Sequence, residues 1–369
     1  MIIRSSRFAV SSLVLVILVA AGCSSSRETS PQANGPCYAF IEVTNFSRFM
    51  PQPRGETSQV LLSPVIVAPI RFTELIVSWN AELPKETGLQ VEAQAISGKH
   101  STRFYNLGSW SEGSAVCPRQ SMRGQRDGEG EVRTDTLVLK QPASDLQIRF
   151  TLFSNKQGAV PKVKLLGLSF ASAPPTKCLS SATPGSAWGR ELKVPELSQL
   201  SHPDGREWCS PTCVAMVLNY WAQTLHRPDL QVDLPAVAHA VHDPNWPGTG
   251  NWPFNTAYAG HFAGMKAYVR RFNDLAELEP WIKAEVPIIL SISSDALHGR
   301  PIDRHNGHLV VCAGFTPEGN VIINNPWADF AAGQHVKRIY DRARVISAWA
   351  SSRNTAYVIY PEWPMPKSE

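Results

Sequence analysis

The chain has 369 residues, of which 43% are hydrophobic and 18% charged, and it carries a formal net charge of +4. Eleven tryptophans and 29 prolines argue for many turns and strands and against a body of long helices. No run of Lys and Arg interleaves with aromatic residues, so nucleic acid is excluded as an expected partner.

The first residues, Met1 to Arg7, form a positive region, and Phe8 to Val19 an apolar stretch too short to span as an ordinary transmembrane helix. Ala20-Ala21-Gly22-Cys23 follows and resembles a lipobox, which implies a signal peptide over 1–22 and lipid on Cys23. Membrane attachment through that lipid is the expectation, with 23–36 a flexible tether. Between 37 and 170 the segments at 58–62, 74–79, 89–96, 134–139, 146–152 and 163–170 alternate or are β-branched, with Gly, Pro and Asp between them. Short strands at such intervals predict an antiparallel β-sandwich. Trp79, Tyr105 and Trp110 are candidates for a sugar-stacking face there, although aromatics in a sandwich more often fill its core.

Export implies an oxidising compartment, so Cys37, Cys117 and Cys178 are disulfide candidates. Cys37 with Cys117 is the preferred pair, because both fall in the first domain. No CxxC pair or His/Cys cluster has zinc-ligand spacing, so neither a metal nor a cofactor is indicated.

Residues 171–190, with Pro174, Pro175, Pro184 and Gly185, read as a linker, and 191–369 as a second domain. Helices are predicted at 211–225, 234–241 and about 275–285, and strands at 287–292, 308–314, 321–323 and 356–360. Helix first and sheet afterwards makes an α+β domain of papain-like layout.

Cys209 lies immediately before the helix opened by Pro211, whose fixed φ suits a first turn. A thiol attacks carbonyls as thiolate, and a helix N-terminus favours that anion. The bland alternative is a small buried hydrophobe, the reading given to Cys213 one turn on and to Cys312 in an apolar strand. His308 starts a strand and Asn325 ends the next, so the amide oxygen is expected to accept from Nδ1–H and leave Nε2 for the thiol. Gln199, shortly before the nucleophile, is placed to donate to an oxyanion alongside the Cys209 N–H. Asn251, Trp252, Phe254 and Asn255 are candidates for a cleft wall, against the plainer reading of a loop packed on the core.

Together the Val194-Pro195-x-x-Ser198-Gln199 segment, Cys209-Ser210-Pro211-Thr212 before Val214-Ala215-Met216-Val217-Leu218, Gly307-His308-Leu309-Val310-Val311 and Asn324-Asn325-Pro326 resemble the papain-fold bacteriocin-processing, double-glycine-type cysteine peptidases, in their stand-alone C-39-like branch. The resemblance implies Cys209 as nucleophile, His308 as base, Asn325 as orienting residue and Gln199 as oxyanion donor, acting on a peptide substrate. Two positions depart from the family pattern: Ser210 stands where glycine is usual and Asn325 where aspartate is usual. Cell-wall peptide amidase or transpeptidase chemistry at the same site, and a non-catalytic envelope protein binding glycan or peptide, are the alternatives.

Overall fold

A computed structural model describes residues 36–55, 57–113, 116–155, 157–172, 185–303 and 307–362. The expected signal segment, Cys23, the tether, most of the linker and Cys178 lie outside the described residues.

β-branched and aromatic residues in alternation produce ten strands in the first part of the chain: β1 (Tyr38–Val43), β2 (Met50–Gly55), β3 (Ser58–Leu62), β4 (Ile66–Glu82), β5 (Gly88–Ser97), β6 (His100–Ser101), β7 (Tyr105–Trp110), β8 (Gly130–Arg133), β9 (Thr136–Phe153) and β10 (Lys162–Ala171). They hydrogen-bond in the order β1-β10-β4-β9-β3-β2, with β5 joining β9 to β6 and β7, and with β8 on β9. Strand β9 is long enough to pair with β8 and β4 in its first part and with β5 and β3 in its second. Side chains such as Phe72, Leu75, Val91, Ile148, Phe150 and Phe170 fill one apolar core.

Two expectations fail here. Trp79, Tyr105 and Trp110 are buried, and the Tyr105 hydroxyl donates to Asp127 Oδ1 at 2.6 Å, so these rings offer no stacking face. Cys37 is disulfide-bonded while Cys117 is free and buried, so the pair Cys37–Cys117 is not formed. Cys117 is held inside the strand core, its thiol facing the Leu89 and Trp110 carbonyls at 3.6 and 4.0 Å. Cys37 instead leads into β1, where its N–H donates to Asn273 Oδ1 of the second domain at 3.0 Å.

That second domain contains α1 (Cys209–Leu225), α2 (Leu234–Val241), α3 (Trp252–Ala259), β11 (Met265–Arg271), α4 (Glu279–Lys283), β12 (Ile288–Ser293), α5 (Ser294–Leu297), β13 (Gly307–Phe315), β14 (Val321–Asn324), β15 (Lys337–Tyr340), α6 (Arg342–Ala350) and β16 (Thr355–Pro361). Its antiparallel sheet runs β11-β16-β12-β13-β14-β15, and α1 packs on β13 and β16. Helix α1 begins two residues before Pro211. The helix expected from 275 shrinks to α4, because Pro280 is compatible only with a first turn.

Residues from 36 onward belong to one compact unit, and the reason lies at β11. This strand pairs with β16 on one side; on its other side its backbone meets side chains of the first domain. Ala267 N–H donates to Asn80 Oδ1 at 3.0 Å, Val269 N–H to Ser78 Oγ at 3.1 Å and Arg271 N–H to Ser169 Oγ at 3.0 Å. Asn80 Nδ2 also donates to the Ala267 carbonyl at 2.7 Å. An open sheet edge is thereby satisfied without adding a strand. Gly260 permits the approach, since a Cβ there would lie 2.1 Å from the Asn80 amide nitrogen.

Candidate active site

Cys209 is the first residue of α1, with Trp208 as N-cap. The Thr212 N–H closes the first turn on the Trp208 carbonyl at 3.0 Å, and the Thr212 hydroxyl donates to the same oxygen at 2.6 Å. Behind this turn Cys213, Val214, Val217 and Leu218 are buried. The helix start is therefore fixed by its core face. Ser210, the residue that replaces the expected glycine, is also buried and hydrogen-bonds the Tyr357 hydroxyl of β16 at 3.0 Å. Serine at this position ties helix α1 to the sheet.

His308 is the second residue of β13 and pairs in register with Ile292 of β12. Its Nε2 lies 2.9 Å from Asn325 Oδ1. Asn325 is held in turn, since its Nδ2 donates to the Tyr340 hydroxyl at 3.2 Å and its N–H to the Val336 carbonyl at 2.8 Å. The expected ring assignment is thus reversed: Nε2 is the nitrogen engaged by the amide, and Nδ1 is the one left over. Nε2–H is the donor of this pair, because an amide oxygen can only accept.

Cys209 and His308 line one cleft of about 660 Å³, together with Glu207, Leu309, Trp246 and Trp252. The backbone N–H groups of Leu309 and Ser210 favour the thiolate, yet burial outweighs them and pushes the Cys209 thiol up to about 11. Burial likewise lowers His308 to about 4, against the raising effect of the Asn325 hydrogen bond. The resting pair is therefore a neutral thiol and a neutral imidazole. The lowering expected from the helix N-terminus is real in sign and smaller than desolvation.

Gln199 is buried, and both hydrogens of its Nε2 are committed, to the Gly205 and Arg206 carbonyls at 2.9 and 2.8 Å. Its N–H donates to the Pro326 carbonyl at 3.0 Å. In this arrangement the side chain has no hydrogen left for an oxyanion; it closes the 199–206 loop and joins it to the segment after Asn325.

The cleft-wall expectation divides. Trp252 lines the cleft, whereas Asn251, Phe254 and Asn255 are fully buried. Phe254 packs edge-on to Trp79 and tilted against Trp110 in the strand domain's core. Asn251 caps α3 through the Phe254 N–H at 3.2 Å, and Asn255 Nδ2 donates to the Thr249 carbonyl at 2.8 Å. The two amides hold the 246–250 wall from behind.

Sequence reasoning missed the other wall, which comes from the first domain: Arg133, Thr134, Asp135 and Thr136 at the β8–β9 turn. Thr134 has a φ of 57°, an uncommon conformation for a β-branched residue. Asp135 Oδ2 accepts from the Trp252 N–H at 3.0 Å. The pattern predicts a strand over 134–139, whereas Thr134 and Asp135 form the turn between β8 and β9, and nothing local says that this turn faces a cysteine.

Among the described residues no group of three or more His, Cys, Asp or Glu could hold a metal ion, and no helix is long and apolar enough to cross a membrane.

Residues 56–171 match the family model described as Peptidase C39 N-terminal domain, and residues 191–357 the model of the Peptidase_C39 like family. A crystal structure from Bacillus anthracis, described as of a C39-like peptidase, is 20% identical with a TM-score of 0.37, and the match covers 47% of this chain and 98% of that one. No curated protein matches.

Proposed function

We propose, from the premise that the chain belongs to the C39-like peptidase family through residues 191–357, that it is a cysteine peptidase acting through Cys209, His308 and Asn325. The observation that carries this reading is the cleft shared by Cys209 and His308, with the imidazole braced from behind by Asn325. A neutral pair assigns His308 the role of general base. Its Nδ1 takes the thiol proton as sulfur attacks a peptide carbonyl, so that charge develops on sulfur and imidazole together. The carbonyl oxygen becomes an oxyanion, for which the unpaired N–H groups of the α1 start are the available donors. His308 then returns the proton to the departing amine, and water, deprotonated by the same nitrogen, releases the acyl group. Asn325 keeps the ring turned and carries no charge, so imidazolium is stabilised less than by a carboxylate.

Within this reading the strand domain is a β-sandwich and the second domain a papain-like α+β unit. Hydrolysis of a quenched fluorogenic peptide library by the purified lipid-free protein tests it. Cys209→Ala should abolish turnover, and His308→Ala should lower kcat/KM by roughly 10²–10⁴. Turnover that survives in Cys209→Ala would overturn the assignment.

The lipobox-like Ala20-Ala21-Gly22-Cys23 supports an exported, lipid-anchored protein in a bacterial envelope. Metabolic labelling with a palmitate analogue checks this: label should appear on the wild type and be absent from Cys23→Ser, and an unlabelled wild type refutes it.

A further inference from the structure

Among the described residues, every charged side chain that lines the cleft is met by another group of the protein except one. Glu74 takes Arg271 at 2.8 Å and Arg353 at 2.5 Å. Arg133 Nη2 lies 2.5 Å from Glu131 Oε1. Asp135 accepts from the Trp252 N–H at 3.0 Å and the Thr136 hydroxyl at 3.1 Å. Glu207 is different: it is exposed, it lines the cleft, and its carboxylate has no hydrogen bond or ion pair among the described residues. It stands two residues before Cys209, and its charge adds to burial, the leading cause, in raising the thiol. The carboxylate is therefore within electrostatic reach of sulfur.

An open indole shares this edge of the cleft. The Thr249 hydroxyl donates to the Glu207 carbonyl at 2.6 Å, which ties the 246–250 wall to the backbone of Glu207. Trp246 lines the cleft with 43% of its surface exposed. Its ring is braced all the same, because Gly248 and Gly250 lie against the six-membered ring, where an added Cβ would come within 3.2 and 3.1 Å. The Trp246 N–H donates to Asp243 Oδ1 at 3.3 Å. Indole is the aromatic side chain that attracts cations best. A fixed indole and an unpaired carboxylate joined through one wall favour a ligand group that is positively charged.

We infer that Glu207 and Trp246 form a subsite of the cleft for a cationic group of the substrate peptide, the carboxylate supplying charge and the indole an aromatic surface. The cation is either a Lys or Arg side chain or a free amino terminus. Once seated, it offsets the charge of Glu207, and thiolate formation at Cys209 becomes less unfavourable. This inference rests on the peptidase reading for its ligand, and on the Glu207, Thr249 and Trp246 contacts for its site.

Binding separates the two. Titration calorimetry on purified lipid-free Cys209→Ala would use amidated hexapeptide pools lacking Asp, Glu, Lys, Arg and His, with an acetylated or a free amino terminus, and acetylated pools with Lys at one fixed position. Cationic pools should bind about tenfold more tightly than the neutral acetylated pool. The pool that gains identifies the source of the cation. Glu207→Gln, nearly the same size at an exposed position, should reduce the preference to below about threefold, and Trp246→Leu should weaken it as well. Equal affinity for all pools, no binding of any, or a preference that survives intact in Glu207→Gln overturns the subsite. Cation-selective binding alongside a wild type that cleaves nothing would instead sustain the subsite and overturn the hydrolase reading.

Discussion

His308 and Asp135 face the same cleft and are displaced by burial in opposite directions. His308 falls to about 4 from an ordinary 6.5, and Asp135 rises to about 6 from 3.8, with burial the leading cause in both. Between pH 4 and 6.5 the unfolded chain protonates His308 while the folded one does not, so this residue's contribution is full above 6.5 and is lost as pH falls through 4. For Asp135 the folded state binds the proton first, so its contribution is present below 3.8 and is lost as pH rises through 6. Each amounts to roughly 3 kcal/mol at one 1.36 kcal/mol step per pK unit, and in the wild type they largely cancel. Stability by urea unfolding should therefore fall on acidification from pH 6.5 to 4 more steeply in Asp135→Asn than in the wild type. His308→Gln should shift the slope the other way. Parallel slopes in the two variants would contradict the burial of these groups.

The edge of the second sheet is the element on which the whole arrangement depends. Strand β11 lacks a partner strand on its first-domain side, and Ser78, Asn80 and Ser169 replace one. Asn80 matters most, because its amide serves both the N–H and the carbonyl of Ala267. Asn80→Ala leaves two buried backbone groups unpaired and should destabilise the protein by about 2 kcal/mol or more, read from the urea midpoint at unchanged m-value. A loss within a few tenths of a kcal/mol would mean that water replaces the amide. Helix α3 shows how element identity and element use differ. Asn251 caps it and Pro253 sits in its first turn, although the sequence reading offered a cleft wall or a packed loop there, and Phe254 serves the other domain's core while Trp252 reaches the cleft.

Across the molecule, strands β4 and β10 and helix α3 pack both domains into a single unit, in which Phe254 and Tyr258 join the first domain's core. The intact protein should accordingly unfold in one cooperative transition, with far-UV circular dichroism and tryptophan fluorescence coincident. Two resolved transitions would show that the contact with β11 contributes little. Cleft and domain contact are the same surface, since the β8–β9 turn reaches Trp252 through Asp135.

Local pattern was enough for most strands and for α1 and α2. Alternation and helical spacing report which face of an element is buried, and that preference is set residue by residue. Cys209 at a helix start and His308 at a strand start were legible for the same reason: position within an element is a short-range property. Only the tertiary structure decided what surrounds them. The engagement of Gln199 by the Gly205 and Arg206 carbonyls is set within its own loop, while the desolvation of Cys209, the choice of Nε2 by Asn325 and the burial of Trp79, Tyr105 and Trp110 all depend on groups distant in sequence. So does the solitary Cys117, whose thiol faces backbone carbonyls inside the strand core. The sequence by itself determined which residues stand at the helix and strand starts of the cleft; contacts made in the folded chain determined their protonation, their partners and the wall that the first domain adds, because electrostatics and hydrogen bonding act through space and not along the chain.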